Sequence, residues 1–389
     1  MILDRQRYFL VTACSLVALS AFMPKIVLGG VAVGAFEFLL PFAVLMMLSV
    51  RKKAYIRPYC GWVQSGYLVI GLFLGSLEFA FLAYWDSILP WVRSWMLLAF
   101  SALLVSRLNL VEKRLFADIF CVAIALFFSF QAVGALISLA TGRITLFDFL
   151  WTYDAGRPHV PGESNTSSVP LGYLFVFCAI FQLYAARLKM SVPRFTLFTI
   201  FAVLTLLSTS RAAAIGLLVA LVCILLFDRN LSGRAPLLLA FALLASGAGL
   251  FAYEKSFEID SLDPSTQTRI AYYQQAVDFS LNDSKALLVG TAVGPSAMES
   301  ATGTSFFESF LFNSLVQGGV LLFSLSLWLC IRIFRKRYSG HPSSAYANAV
   351  GANLVVGNFI GGSNFFSPYA YLFFMCLVSL LDSAYQKER

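Results

Sequence analysis

Apolar residues run along this chain in stretches of about twenty, each closed by a short polar or basic connection, and that rhythm governs everything else. A run near 20 residues suits a helix that crosses a bilayer. The pattern predicts spans over roughly 8–23, 26–50, 61–83, 88–106, 115–141, 168–186, 195–209, 211–227, 235–252, 306–331, 345–362 and 367–383. The first has no small-residue cleavage site and reads as a retained helix, not a removed signal peptide. Between the seventh and eighth spans, Ser208-Thr209-Ser210-Arg211 argues for two short helices meeting at a polar turn. The expectation is an all-α, polytopic membrane protein of about 12 transmembrane helices, forming a single integral membrane domain over 1–389.

Composition strengthens that reading. Apolar residues make up 59% of the chain and charged residues only 12%, about half the charged share of a soluble domain. Basic residues then orient the helices, because short Lys- and Arg-rich loops stay in the cytoplasm. With a cytoplasmic N-terminus, one side collects 20 of the 28 basic residues, from Arg5 and Arg7 through Lys113, Arg187 and Arg194 to Lys387 and Arg389. The other keeps the remaining 8: Lys25, Arg93, Arg143, Arg157, Arg211, Lys255, Arg269 and Lys285. Both termini are expected in the cytoplasm of a cell with an inner membrane, and the net charge of +8 is a topology signal. Basic residues spread over short loops do not form a nucleic-acid-binding face.

Several chemistries drop out. The seven cysteines lie in or beside apolar spans without metal-ligand spacing, and His159 and His341 are the two histidines, so neither disulfides nor a metal centre are expected. No GxxxxGK[ST] phosphate loop occurs, which excludes an ATP-driven pump encoded in this chain alone. No cofactor is expected.

The two long excursions both fall on the outer side. The first, 142–167, carries Gly156-Arg157-Pro158-His159 and Asn165-Thr166-Ser167, too rich in Pro and Gly for a regular helix. The second, 253–305, has Ile270, Tyr273, Val277 and Leu281 at helical spacing, which predicts an amphipathic helix along the membrane surface. Gly290 to Gly294 then allow a turn back toward the membrane. Long loops in a compact protein tend to be functional.

Candidate chemistry lies among polar groups that a membrane disfavours. Arg211 sits between two apolar runs near the outer leaflet, where a cation needs an anion or water; a headgroup-snorkelling role stands beside the functional one. Arg157 and Arg269 join it on a side otherwise poor in positive charge, with Arg143 and Lys285 as weaker members. Guanidinium groups grip phosphate oxygens in bidentate fashion. Glu308 precedes the tenth span, with Asn313 and Gln317 further along it. Its carboxylate can take a proton from a hydroxyl or pair with one of the arginines. Glu37 and Glu78 are read as packing or hydrogen-bonding acids.

In their order and spacing these parts resemble the O-antigen ligase and polymerase superfamily. The likeness is carried by Ser208-Thr209-Ser210-Arg211 before an apolar span, then Arg269 with Tyr272 and Tyr273. Gly290 to Gly294 follow, then Ser305-Phe306-Phe307-Glu308-Ser309 up to Gly318-Gly319, and the earlier loop contributes Arg157 and Asn165. It covers about 150–335. Ligases of the superfamily usually carry a histidine shortly before the last of these helices; this chain has none there, and His159 lies in the other loop. The resemblance therefore implies a Wzy-like polysaccharide polymerase in the bacterial inner membrane. Such an enzyme is a metal-independent glycosyltransferase acting on undecaprenyl-diphosphate-linked glycans outside the cytoplasm, alongside a chain-length regulator and a flippase. It implies diphosphate binding by Arg157, Arg211 and Arg269, and catalysis by Arg211 and Glu308. Arg143, His159, Asn165, Tyr273, Lys285 and Asn313 are accessory positions. A ligase transferring glycan to lipid A core, and a lipid-linked oligosaccharide flippase, are the competing readings.

Overall fold

The structure is a computed structural model that describes residues 5–22, 26–28, 31–50, 96–97, 99–143, 153–154, 157–158, 168–187, 191–208, 211–228, 264–282, 284–291, 299–300, 302–303, 309–335, 345–353, 372–374 and 376–381. The expected spans 61–83 and 235–252, and Glu78, lie outside the described residues. The packed body is all-helical. Its helices are α1 (Arg5–Leu19), α2 (Ala35–Val50), α3 (Leu110–Ala140), α4 (Ser168–Ala186), α5 (Val192–Leu207), α6 (Arg211–Phe227), α7 (Pro264–Asn282), α8 (Ser284–Val289) and α9 (Phe310–Arg335). Further helical stretches cover 99–107, 345–353 and Leu372–Leu381.

Among the described residues, one helical stretch, Leu110–Gln131, is long and apolar enough to cross a membrane by length and composition. The other apolar helices are shorter, among them Tyr8–Phe22, Ala35–Ser49, Leu171–Ala186 and Ala213–Phe227. Of the about twelve full-length spans expected, one is met among the described residues. Among the described residues, a strand ladder interrupts the run 26–50, a helix end at Ser208 the run 195–227, and a helix break at Gly318-Gly319 the run 306–331.

The run 26–50 shows why. In place of a continuous helix, β1 (Ile26–Leu28) pairs antiparallel with β2 (Val31–Val33), Leu28 opposite Val31, before α2 begins. Ile26, Val27, Val31 and Val33 are β-branched, and Gly29-Gly30 separates the two strands, a dipeptide suited to a tight hairpin. Glu37 then accepts a hydrogen bond from the Gly34 N–H at 2.9 Å. A second ladder lies inside the first long loop, where β3 (Tyr153–Asp154) pairs with β4 (Arg157–Pro158).

Helix α3 starts five residues before its apolar run because Asn109 and Glu112 cap it reciprocally. The Asn109 N–H donates to Glu112 Oε2 and the Glu112 N–H to Asn109 Oδ1, each at 2.9 Å. The polar stretch 208–211 divides two helices, α5 ending as the Ser208 N–H returns to the Leu204 carbonyl at 2.9 Å.

The hub is α4. From Leu171 to Tyr184 every side chain on it is buried, which marks a helix enclosed on all sides. Phe175 meets Phe128 of α3 at 5.1 Å between ring centroids, Phe177 meets Phe374 at 5.3 Å and Tyr184 meets Tyr346 at 5.4 Å. Away from this hub, α1, α2 and α3 present bare aromatic rings: Phe9 is 73% exposed, Phe42 67% and Phe130 85%.

Candidate functional site

One seam gathers much of what the outer-loop motifs single out. It is built by α7, α8 and the first half of α9. Tyr273 of α7 stacks on Phe312 of α9, with ring centroids 4.6 Å apart and planes 17° from parallel. Ala276 and Val316 are fully buried between the two helices, flanked by Tyr272 and Phe279. Gln275 Nε2 donates to the Thr302 carbonyl at 2.7 Å, tying α7 to the segment before α9. Asn313 is buried near the start of α9, where its N–H donates to the Ser309 carbonyl at 2.8 Å.

The buried face of α7 differs from the stripe read in its sequence. Ala276 and Ser280 turn inward, whereas Val277 is 37% exposed and Leu281 69%. Small side chains let α9 come close, so the seam forms one position earlier than the large residues suggest.

Two glycines lock the seam. Helix α9 breaks at Gly318-Gly319, where Gly319 takes φ +59°. The Val316 carbonyl, which a continuous helix would bond to residue 320, instead accepts from the Thr291 N–H at 2.7 Å and the Thr291 hydroxyl at 3.2 Å. Gly290, at φ +72°, makes that turn. A methyl group at Gly290 would lie 2.5 Å from the Val316 oxygen, and one at Gly319 2.4 Å from the Leu288 carbonyl carbon. The two backbones meet where neither admits a side chain.

The candidate residues fall on this frame as follows. Arg269 lies on α7 one turn before Tyr273, so the Tyr273–Phe312 stack fixes its helix against the start of α9. Arg211 opens α6, and Arg157 opens β4 with Asp154 as its cross-strand partner. Arg143 is exposed just beyond α3, and Lys285 is exposed on α8. Glu308, His159 and Asn165 lie outside the described residues. No group of three His, Cys, Asp or Glu side chains gathers as metal ligands among the described residues.

Sequence reading passed over a second polar layer, at the end of the bundle where α3 and α5 begin and α4 and α6 finish. Glu112, Lys113 and Asp228 are buried there. The Lys113 ammonium donates to Ser379 Oγ at 2.7 Å. Arg194 forms an ion pair with Asp118, donates to Gln182 Oε1 at 3.0 Å and lies over the Phe181 ring. Arg187 lies over Tyr184, and Tyr346 feels the charges of Asp228 and Arg187. By sequence alone, Lys113, Arg187 and Arg194 mark only the cytoplasmic side as loop charges. The available signal was acids placed beside them at the ends of apolar runs.

No protein-family model and no curated protein matches this chain.

Proposed function

We propose that this protein is an integral-membrane glycosyltransferase that joins undecaprenyl-diphosphate-linked oligosaccharides into a surface polysaccharide on the outer face of the bacterial inner membrane. The observation that carries this reading is the α7–α9 seam. It draws the helix of Arg269 against the helix that Glu308 precedes in sequence, two positions whose chemistry complements a diphosphate and a hydroxyl. Bare aromatic rings on α1, α2 and α3 support a lipid-facing perimeter, since large exposed apolar surface marks contact with a membrane or partner.

The chemistry follows from the charges. The donor's anomeric C–O bond to the lipid diphosphate breaks, and the bonding pair leaves with the diphosphate. Arg157, Arg211 and Arg269 stabilise that developing charge, a task for which preorganised cations suit. Glu308 takes the proton of the acceptor hydroxyl as its oxygen bonds to the anomeric carbon. The lipid diphosphate supplies the leaving group, so the reaction needs no nucleotide.

The break in α9 favours a second reading, because discontinuous helices form substrate sites in transporters. The buried charge layer where α3 and α5 begin weighs against it. Opening a path there would separate Arg194 from Asp118 and expose Lys113.

The test is to incubate purified protein with lipid-linked repeat units from its host, without nucleotide or metal, and resolve the products by size. A ladder of lengthening glycans, lost in Arg211→Ala and Glu308→Ala and reduced about tenfold or more in Tyr273→Ala, supports the polymerase. Glycan appearing on added lipid A core would make the protein a ligase. No transfer of either kind by folded protein, with translocation in vesicles, would make it a transporter.

A further inference from the structure

Away from the seam and the charge layer, one polar side chain stands out. Asn353 is fully buried on the helical stretch 345–353. Neither its Oδ1 nor its Nδ2 has a hydrogen-bond partner among the described residues. Native proteins rarely leave a buried amide in that state, and each such case calls for a reason.

The surroundings explain how the amide is held. Its Oδ1 presses against α6 at Gly216, where an added methyl group would lie 2.1 Å from Oδ1 and 3.2 Å from Cγ. The ring of Tyr173, on the hub helix α4, borders the same point at 3.8 Å. Gly216 and Tyr173 are each five residues from the start of their helices, about 7.5 Å along the axis. The amide thus lies about one and a half turns inside the end of the bundle at which α4 and α6 begin.

The chemistry of an amide narrows what would meet it. A phosphate oxygen only accepts hydrogen bonds and would answer the Nδ2 donors alone. A sugar hydroxyl both donates and accepts, so neighbouring hydroxyls can satisfy Oδ1 and Nδ2 together. We propose that Asn353, seated against Gly216 beside Tyr173, binds hydroxyl groups of the glycan carried by the lipid substrate. This rests on the glycosyltransferase reading and adds a sugar-recognising residue distinct from the diphosphate-binding arginines.

Asn353→Leu keeps the size of the side chain and removes its polarity. Replacing an unsatisfied buried amide with an apolar group relieves a desolvation cost. A ligand-binding amide therefore predicts a variant that melts higher than the parent yet binds worse. The two probes are undecaprenyl-diphosphate repeat units from the host and undecaprenyl diphosphate without sugar, titrated against purified full-length protein. The expected result is about tenfold weaker binding of the glycosylated lipid, unchanged binding of the sugar-free lipid and a raised melting temperature. Equal loss for both probes, no loss for either, or a lowered melting temperature would overturn the assignment and leave the polymerase intact. Failure of the parent protein to bind either probe would instead remove the glycosyltransferase reading, and this one with it. Should Asn353→Leu fail to fold, Gly216→Ala with Asn353→Ala serves, since the new methyl group fills the space the amide leaves. That pair is expected to retain the parent's melting temperature and still discriminate against the glycosylated lipid. Parent-like binding of both lipids by the pair would refute the proposal.

Discussion

At the scale of single residues, the molecule concentrates its unusual groups at positions where burial and charge conflict. Asp118 and Arg194 are each under one-third exposed, shielded enough for their attraction to matter and wet enough to limit the desolvation cost. Gln182 and the Phe181 face complete the guanidinium's surroundings. Asp118→Ala leaves Arg194 with an amide and a ring in place of a carboxylate. It is expected to destabilise the protein by about 1–3 kcal/mol. The measurement is a thermal melt in detergent of Asp118→Ala, Arg194→Ala and the double variant. The double variant should lose less than the sum of the singles, because removing the acid does no further harm once its partner is gone. Strict additivity would show that the two side chains do not stabilise each other.

At the scale of elements, the α7–α9 seam depends on backbone geometry that few residue types can adopt. Gly290 and Gly319 combine left-handed φ with a backbone contact that a methyl group would violate. Alanine at either position adds strain of about 1–3 kcal/mol to a steric clash, and severs the Thr291–Val316 tie. Gly303 is the internal control. Its φ of +72° equals that of Gly290, but nothing lies within 4 Å of a built methyl group, so Gly303→Ala carries the strain without the clash. Gly290→Ala and Gly319→Ala should abolish glycan transfer and lower the melting temperature further than Gly303→Ala. Equal effects at all three positions would mean the close approach is dispensable.

Much of this seam was legible in the sequence. Glycines at 290 and 318–319, the aromatic Tyr273 and the polar start of α9 all stand out from their apolar context. The ladder at 26–33 was hidden because β-branched residues extend an apolar run as readily as they build a strand. Asp154 opposite Arg157 was hidden because pairing across strands depends on register. Lys113 and Asn353 were hidden for a third reason. Helical periodicity places a residue on a face, but it does not say which faces the other helices cover. Only the enclosure of α4 by its neighbours reveals which polar groups are trapped.

At the scale of the whole molecule, the two ends of the bundle differ in kind. One end is closed by the charged side chains of Lys113, Arg194 and Asp228, with Arg194 paired to Asp118; the other carries the first turns of α4 and α6 and the Asn353 amide between them. An enzyme taking both substrates from one side of a membrane needs this asymmetry. A carrier must open both ends in turn. The asymmetry predicts a fixed orientation, with the charge layer facing the cytoplasm, where the basic residues accumulate. Exposed positions make it testable. Thr141 and Lys285 belong to the outer side, and Arg114 and Ser191 to the inner side, and all four are exposed. With Cys60, Cys223 and Cys330 changed to Ser and the buried Cys14, Cys121, Cys178 and Cys376 left in place, one cysteine added at each of these positions is treated with a membrane-impermeant maleimide on intact spheroplasts. Thr141→Cys and Lys285→Cys should label at once, while Arg114→Cys and Ser191→Cys should label only after permeabilisation. The reverse pattern would place the seam in the cytoplasm, out of reach of a lipid-linked glycan on the outer leaflet. Labelling of all four in intact cells would show that this bundle does not separate two compartments.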